Sequence, residues 1–122
     1  MSTSNAPVER LVVVLAHAGP DPLRQALVAL RYAVTAAALD MAVELHAVGP
    51  AVALLRRGAC DSALLAQLRQ AVELDVAIYA CPVALAEQGL DAAVLVDEVA
   101  GVRGAASLLV AGMAEGARFM VF

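Results

Sequence analysis

The spacing of apolar positions changes repeatedly along this chain. Leu11 to Leu15 reads LVVVL, a continuous β-branched run that suits a strand buried on both faces, and Ala16 to Pro20 breaks it. From Pro22 the period becomes helical. Leu23, Ala26, Leu27, Leu30, Ala33, Val34, Ala37 and Met41 recur at three and four residues, with Asp21 as N-cap, Pro22 in the first turn and an end near Leu39. Val43 to Val48 alternates apolar residues with Glu44 and His46. That pattern predicts a half-exposed strand, nearer a sheet edge than the first, stopped by Gly49-Pro50.

Ala51 to Arg56 predicts a short helical turn interrupted by Gly58, and Asp61 caps a second helix with Leu64, Leu65, Leu68 and Val72 on one face. Val76 to Ala80 is a buried third strand. Cys81-Pro82 ends it and opens a helix to about Gln88, closed by Gly89. A weaker strand lies within Leu95 to Val102, a helix spans Arg103 to Glu115, and Arg118 to Phe122 forms a terminal strand.

Strands and helices alternate throughout, which predicts an α/β fold: a three-layer α/β/α sandwich on a mostly parallel five-stranded sheet. Residues 1–10 are expected to be a flexible polar tail and residues 11–122 one domain. The last helix is apolar nearly all round, with Ser107 almost its only polar interior residue, so both its sides need cover. Self-association supplies that cover most simply. An Ala- and Gly-softened helix resting on the sheet with modest exposure is the alternative.

Composition narrows the function. Apolar residues make up 62% of the 122, yet Arg24, Gln25, Arg31 and Asp40 interrupt the longest apolar segment, so no membrane span is expected. The run Leu11 to Ala16 is too short for the core of a signal peptide, and a soluble cytoplasmic protein with reduced thiols is expected. The net charge of −4 comes from eight dispersed Arg against twelve acidic residues, with no Lys. A nucleic-acid surface needs a basic patch, which is missing here. Cys60 and Cys81 are not arranged as a CxxC pair and have no companion His cluster, so neither a metal site nor a cofactor is expected. Gly19-Pro20-Asp21-Pro22 has neither GxGxxG spacing nor a Walker lysine.

Cys81 carries the sharpest chemical signal. It stands where a buried strand gives way to a helix, and Pro82 has no N–H, which leaves the backbone donors of Val83, Ala84 and Leu85 to face the thiol or its ligand. A helix N-terminus favours thiolate, and ligands of open α/β sheets bind beyond the carboxyl ends of strands. The plainer reading is a small inert thiol filling space in the core. Cys60 lies in a loop before the second helix and is at most an accessory or resolving thiol. His17 approaches Cys81 if strands one and three are neighbours, and His46 if strand two lies between them.

The first strand ending in His17-Ala-Gly-Pro-Asp21, the segment LRQALVALRYA, Ile78-Tyr-Ala-Cys81 with Glu87-Gln-Gly-Leu90, and Gly116-Ala-Arg-Phe-Met-Val-Phe122 together resemble the DsrE/DsrF-like (DsrEFH-like) family. The resemblance spans about Leu11 to Phe122. It implies a flavodoxin-like domain that assembles into homo- or hetero-oligomers, often trimers or hexamers, and handles sulfane sulfur in the cytoplasm. It also implies that Cys81 accepts sulfur as a persulfide from a donor protein and passes it to an acceptor; on the reading of the residues alone, His17 is expected to assist proton transfer. Two departures stand out: Pro82 removes one backbone donor, and no Arg or Lys is close in sequence to steady a persulfide anion. Two rivals remain, an oligomeric small-ligand-binding module in which Cys81 is merely buried and a redox protein pairing Cys60 with Cys81.

Overall fold

The computed structural model describes residues 7–16 and 20–122. Five strands, β1 (Arg10–Leu15), β2 (Ala42–Ala47), β3 (Ala77–Ala80), β4 (Gly101–Val102) and β5 (Ala117–Val121), form one sheet in the order β4-β3-β2-β1-β5. Every pairing is parallel. The helices are α1 (Pro22–Ala38), α2 (Ser62–Glu73), α3 (Pro82–Glu87) and α4 (Ala105–Gly112), with 3-10 segments at Gly49–Leu55 and Ala92–Val94. α1 and α2 cover one face of the sheet and α4 the other, so the molecule is the three-layer α/β/α sandwich expected.

The two faces differ in composition because strand side chains alternate. Leu11, Val13 and Leu15 of β1, Val43 and Leu45 of β2, and Ile78 of β3 join Ala26, Ala29, Leu30 and Ala33 of α1 and Leu64, Leu68 and Ala71 of α2 in the main core. Only Val12, Val14 and Ala111, with Leu108 and Val48 against them, form the smaller core beneath α4. On that second face β2 and β3 present the polar or aromatic side chains of Glu44, His46 and Tyr79 beside Ala42 and Ala77.

That polar patch explains a correction. β2 is the central strand, not one near an edge, and His46 is 1% exposed. Alternation of polar and apolar residues marks two different faces, but here the polar one is a partly buried cluster in which His46 is shielded from solvent.

Helix starts follow the sequence closely. The Asp21 carboxylate accepts from Arg24 N at 3.0 Å, and the Asp61 carboxylate accepts from Ala63 N and Leu64 N at 2.8 and 3.2 Å. On α2, Ala71 faces inward and Val72 is exposed, reversing the expectation for Val72. The expected fourth strand shrinks to Gly101–Val102 because Leu95 and Val96 pair elsewhere: Val96 N donates to Leu55 O at 2.9 Å, and Leu95 bridges Arg56 in antiparallel fashion. α4 starts later than expected, since Arg103 still extends the sheet ladder, its N–H donating to Ala80 O at 3.1 Å, and Gly104 is the N-cap.

Candidate functional site

β3 delivers Cys81 to the carboxyl edge of the sheet. Its ladder with β2 runs on one residue past the strand, Cys81 N donating to Ala47 O at 3.0 Å, and Cys81 keeps extended backbone angles as N-cap of α3. Pro82 then sets the first helical φ. The thiol is free and half-buried against the main core.

Of the three expected backbone donors, one is already engaged. Leu85 N donates to Cys81 O at 3.0 Å, the first i to i−4 bond of α3, and so cannot also serve a ligand. The N–H groups of Val83 and Ala84 have no acceptor among the described residues. Val83 is exposed, whereas Ala84 and Leu85 are buried and anchor the short helix in the core.

The neighbouring strand supplies a group that reading along the sequence missed. Val102 of β4 lies opposite Ala80, so Arg103 and Gly104 emerge beside the Cys81-Pro82 turn. A Cβ built on Gly104 would stand 3.9 Å from the Pro82 ring, an ordinary contact, so the turns that open α3 and α4 abut. The Arg103 guanidinium lies 4.3 Å above the centroid of the Tyr79 ring. Arg103 is thus 22 residues from Cys81 in sequence but on the adjacent strand end, with its guanidinium over Tyr79. The signal that could have found it was the alignment of Gly101-Val102-Arg103 with Tyr79-Ala80-Cys81 as parallel neighbours.

Strand order selects between the histidines. β2 separates β1 from β3, so His46 is the one beside the Cys81 strand, while His17 lies outside the described residues. His46 pairs in register with Tyr79, the two rings 5.2 Å apart, and its Nε2 contacts Glu44 Oε1 at 2.9 Å. Glu44 in turn is 3.9 Å from the Arg10 guanidinium. His46 Nδ1 is buried without a hydrogen-bond partner among the described residues. The imidazole is therefore packed on the sheet face, not presented at the rim.

Cys60 is also free, its Sγ 3.7 Å from Asp61 O. Burial, and then the negative charges of Asp61 and Glu98, push this thiol above its ordinary value of 9.0. Each cause opposes the thiolate, which argues against Cys60 as a nucleophile.

A half-buried cysteine at the carboxyl edge of an all-parallel sheet, at a strand-to-helix turn, defines a class of small α/β proteins with a thiol on the rim. The chain belongs to the DsrE/DsrF-like family, whose model matches residues 10–122. Among solved structures it is similar to the ychN protein from E. coli, with a TM-score of 0.78 and 18% identity over 93% of this chain and 99% of that one. It is also similar to MTH1491 from Methanobacterium thermoautotrophicum, a protein of unknown function, with a TM-score of 0.73 and 22% identity over 93% and 98%. BT1422 from Bacteroides thetaiotaomicron, a conserved protein of unknown function, has a TM-score of 0.70 and 17% identity over 97% and 100%. At these identities the likeness concerns the fold. No curated protein matches the sequence.

Proposed function

We propose that the protein is a cytoplasmic sulfur-carrier subunit that takes sulfane sulfur onto Cys81 as a persulfide and hands it to an acceptor protein. Membership of a family associated with sulfur relay supports this reaction class, and the observation that carries the reading is the position of Cys81. It is a free thiol at a strand end, beside two backbone N–H groups without partners among the described residues and next to the strand end that bears Arg103. No helix of the described residues is long and apolar enough to cross a membrane.

In the transfer, the Cys81 thiolate attacks the outer sulfur of a donor persulfide, R–S–SH. A sulfur–sulfur bond forms at Cys81 as the donor bond breaks, giving Cys81–S–SH and the donor thiolate R–S⁻. The moving sulfur keeps its oxidation state, so no external oxidant or reductant is required. Attack by an acceptor thiolate repeats the step in the opposite sense and returns Cys81 to thiolate. The N–H groups of Val83 and Ala84 favour negative charge on the carried sulfur. The buried His46 is not at the rim and takes no part.

Cyanide removes the outer sulfur of a persulfide as thiocyanate. After loading with polysulfide and desalting, wild-type protein and Cys60→Ser should each release about one thiocyanate per chain, and Cys81→Ser close to none. Equal release from Cys81→Ser would contradict the proposal and favour a binding module in which Cys81 only fills space.

A further inference from the structure

On the α4 side, away from the main core, the sheet is covered by one eight-residue helix, and the uncovered half holds a cleft of about 360 Å³. Arg10 and Glu44 rise from the sheet on one side of it, and Arg103, Ala106, Ser107 and Val110 line the other along α4. Cys81 is not among its walls. We propose that this cleft binds a small organic anion, a carboxylate- or phosphate-bearing molecule with a short apolar body.

The charges on the walls do not cancel. Glu44 is held by both Arg10, at 3.9 Å, and His46, at 2.9 Å, whereas Arg103 has no carboxylate partner among the described residues. Two guanidinium groups against one carboxylate leave a net positive charge, and arginine keeps its proton at any accessible pH. The stack on Tyr79 fixes the Arg103 plane without using its N–H donors.

The first turn of α4, of which Ala106 and Ser107 line the cleft, has unspent backbone donors. The N-cap of α4 is Gly104, which offers no side-chain acceptor, and the N–H groups of Ala105, Ala106 and Ser107 have no partner among the described residues. Nearby, the buried His46 Nδ1 is a further unspent polar atom of the cluster that holds Glu44 in place. Ala106 and Val110 add an apolar stretch to the α4 wall of the cleft. A bare inorganic ion would leave that stretch uncovered, whereas an aliphatic carboxylate or an alkyl phosphate reaches both it and the guanidinium groups.

The test is titration of the isotope-labelled full-length protein, followed by amide resonances, with pentanoate, inorganic phosphate and pentylammonium as probes. Pentanoate should shift the amides of residues 105–107 saturably and at lower concentration than phosphate, and pentylammonium should leave them unmoved. Arg103→Gln should weaken pentanoate by about tenfold or more. Ala106→Glu should abolish binding while the fold persists, since an acidic residue in the first turn suits a helix and Ala106 is exposed. Saturation by phosphate alone would overturn the assignment to an organic anion. So would undiminished pentanoate binding by Ala106→Glu, an equal response to pentylammonium, or no saturable shift at concentrations on the order of 10 mM. None of these readouts depends on Cys81, so the sulfur-carrier reading stands or falls separately.

Discussion

Two free thiols in one small chain meet opposite surroundings. Cys81 sits at a strand end with backbone donors nearby, and Cys60 is flanked by Asp61 and partly desolvated. Because its folded-state value is raised, Cys60 contributes stability while it is protonated, and loses it as pH rises past its ordinary 9.0 through the higher folded value. In Cys81→Ser, alkylation of Cys60 by iodoacetamide should be slow at pH 7 and should still be accelerating above pH 9. A rate already at its plateau near neutrality would contradict the assignment. The Cys81 junction was legible in sequence because a short apolar strand, a cysteine, a proline and a helical segment follow one another without a gap. The burial of His46 was not, since alternation looks the same whether the polar side faces water or a partly buried polar cluster. The engagement of Leu85 N was overlooked for a simpler reason: the fourth residue of a helix already makes its first i to i−4 bond.

At the level of elements, caps marked by an aspartate and a following proline or apolar run were readable, and so were the strand cores. Helix ends were harder. Both α1 and α2 finish on Leu-Asp, with Asp40 and Asp75 in the left-handed region at φ 66° and 65°, a conformation more usual for Gly or Asn. The short β4 could not be read locally, because the partner that draws off Leu95 and Val96 is Leu55-Arg56, some 40 residues earlier. The contact of α4 with β5 rests on one glycine: a Cβ on Gly112 would fall 2.0 Å from the Phe119 ring. Gly112→Ala should therefore destabilise by about 1–2 kcal/mol despite its better helix propensity. With Phe119→Ala already in place, the same change should stabilise by up to about 1 kcal/mol. A double-mutant cycle by urea unfolding checks the sign reversal, and additive effects would show that the ring is not what Gly112 accommodates.

Across the whole molecule, the alternation of strand and helix was enough to predict the layered architecture, but strand order was not, and strand order is what sets Arg103 and His46 around β3. The apolar character of α4 was visible in sequence and persists in the structure: Leu109 and Met113 are exposed, Met113 at 75%, and Phe119 and Val121 of β5 are exposed on the same side of the sheet. We propose that copies of the chain meet on this strip, as self-associating subunits of the sulfur carrier. Light scattering should then give a mass above the 12.5 kDa of one chain, and Met113→Glu should lower it. A monomer in the wild type would contradict self-association.

The central claim is that sulfur is carried on Cys81, and intact-protein mass spectrometry under non-reducing conditions tests it most directly. After exposure to a polysulfide donor, wild type and Cys60→Ser should each gain about one sulfur atom, ~32 Da, removable by dithiothreitol, while Cys81→Ser gains none. A wild-type mass that stays unchanged while a control thiol is modified, or the same gain on Cys81→Ser, would contradict it.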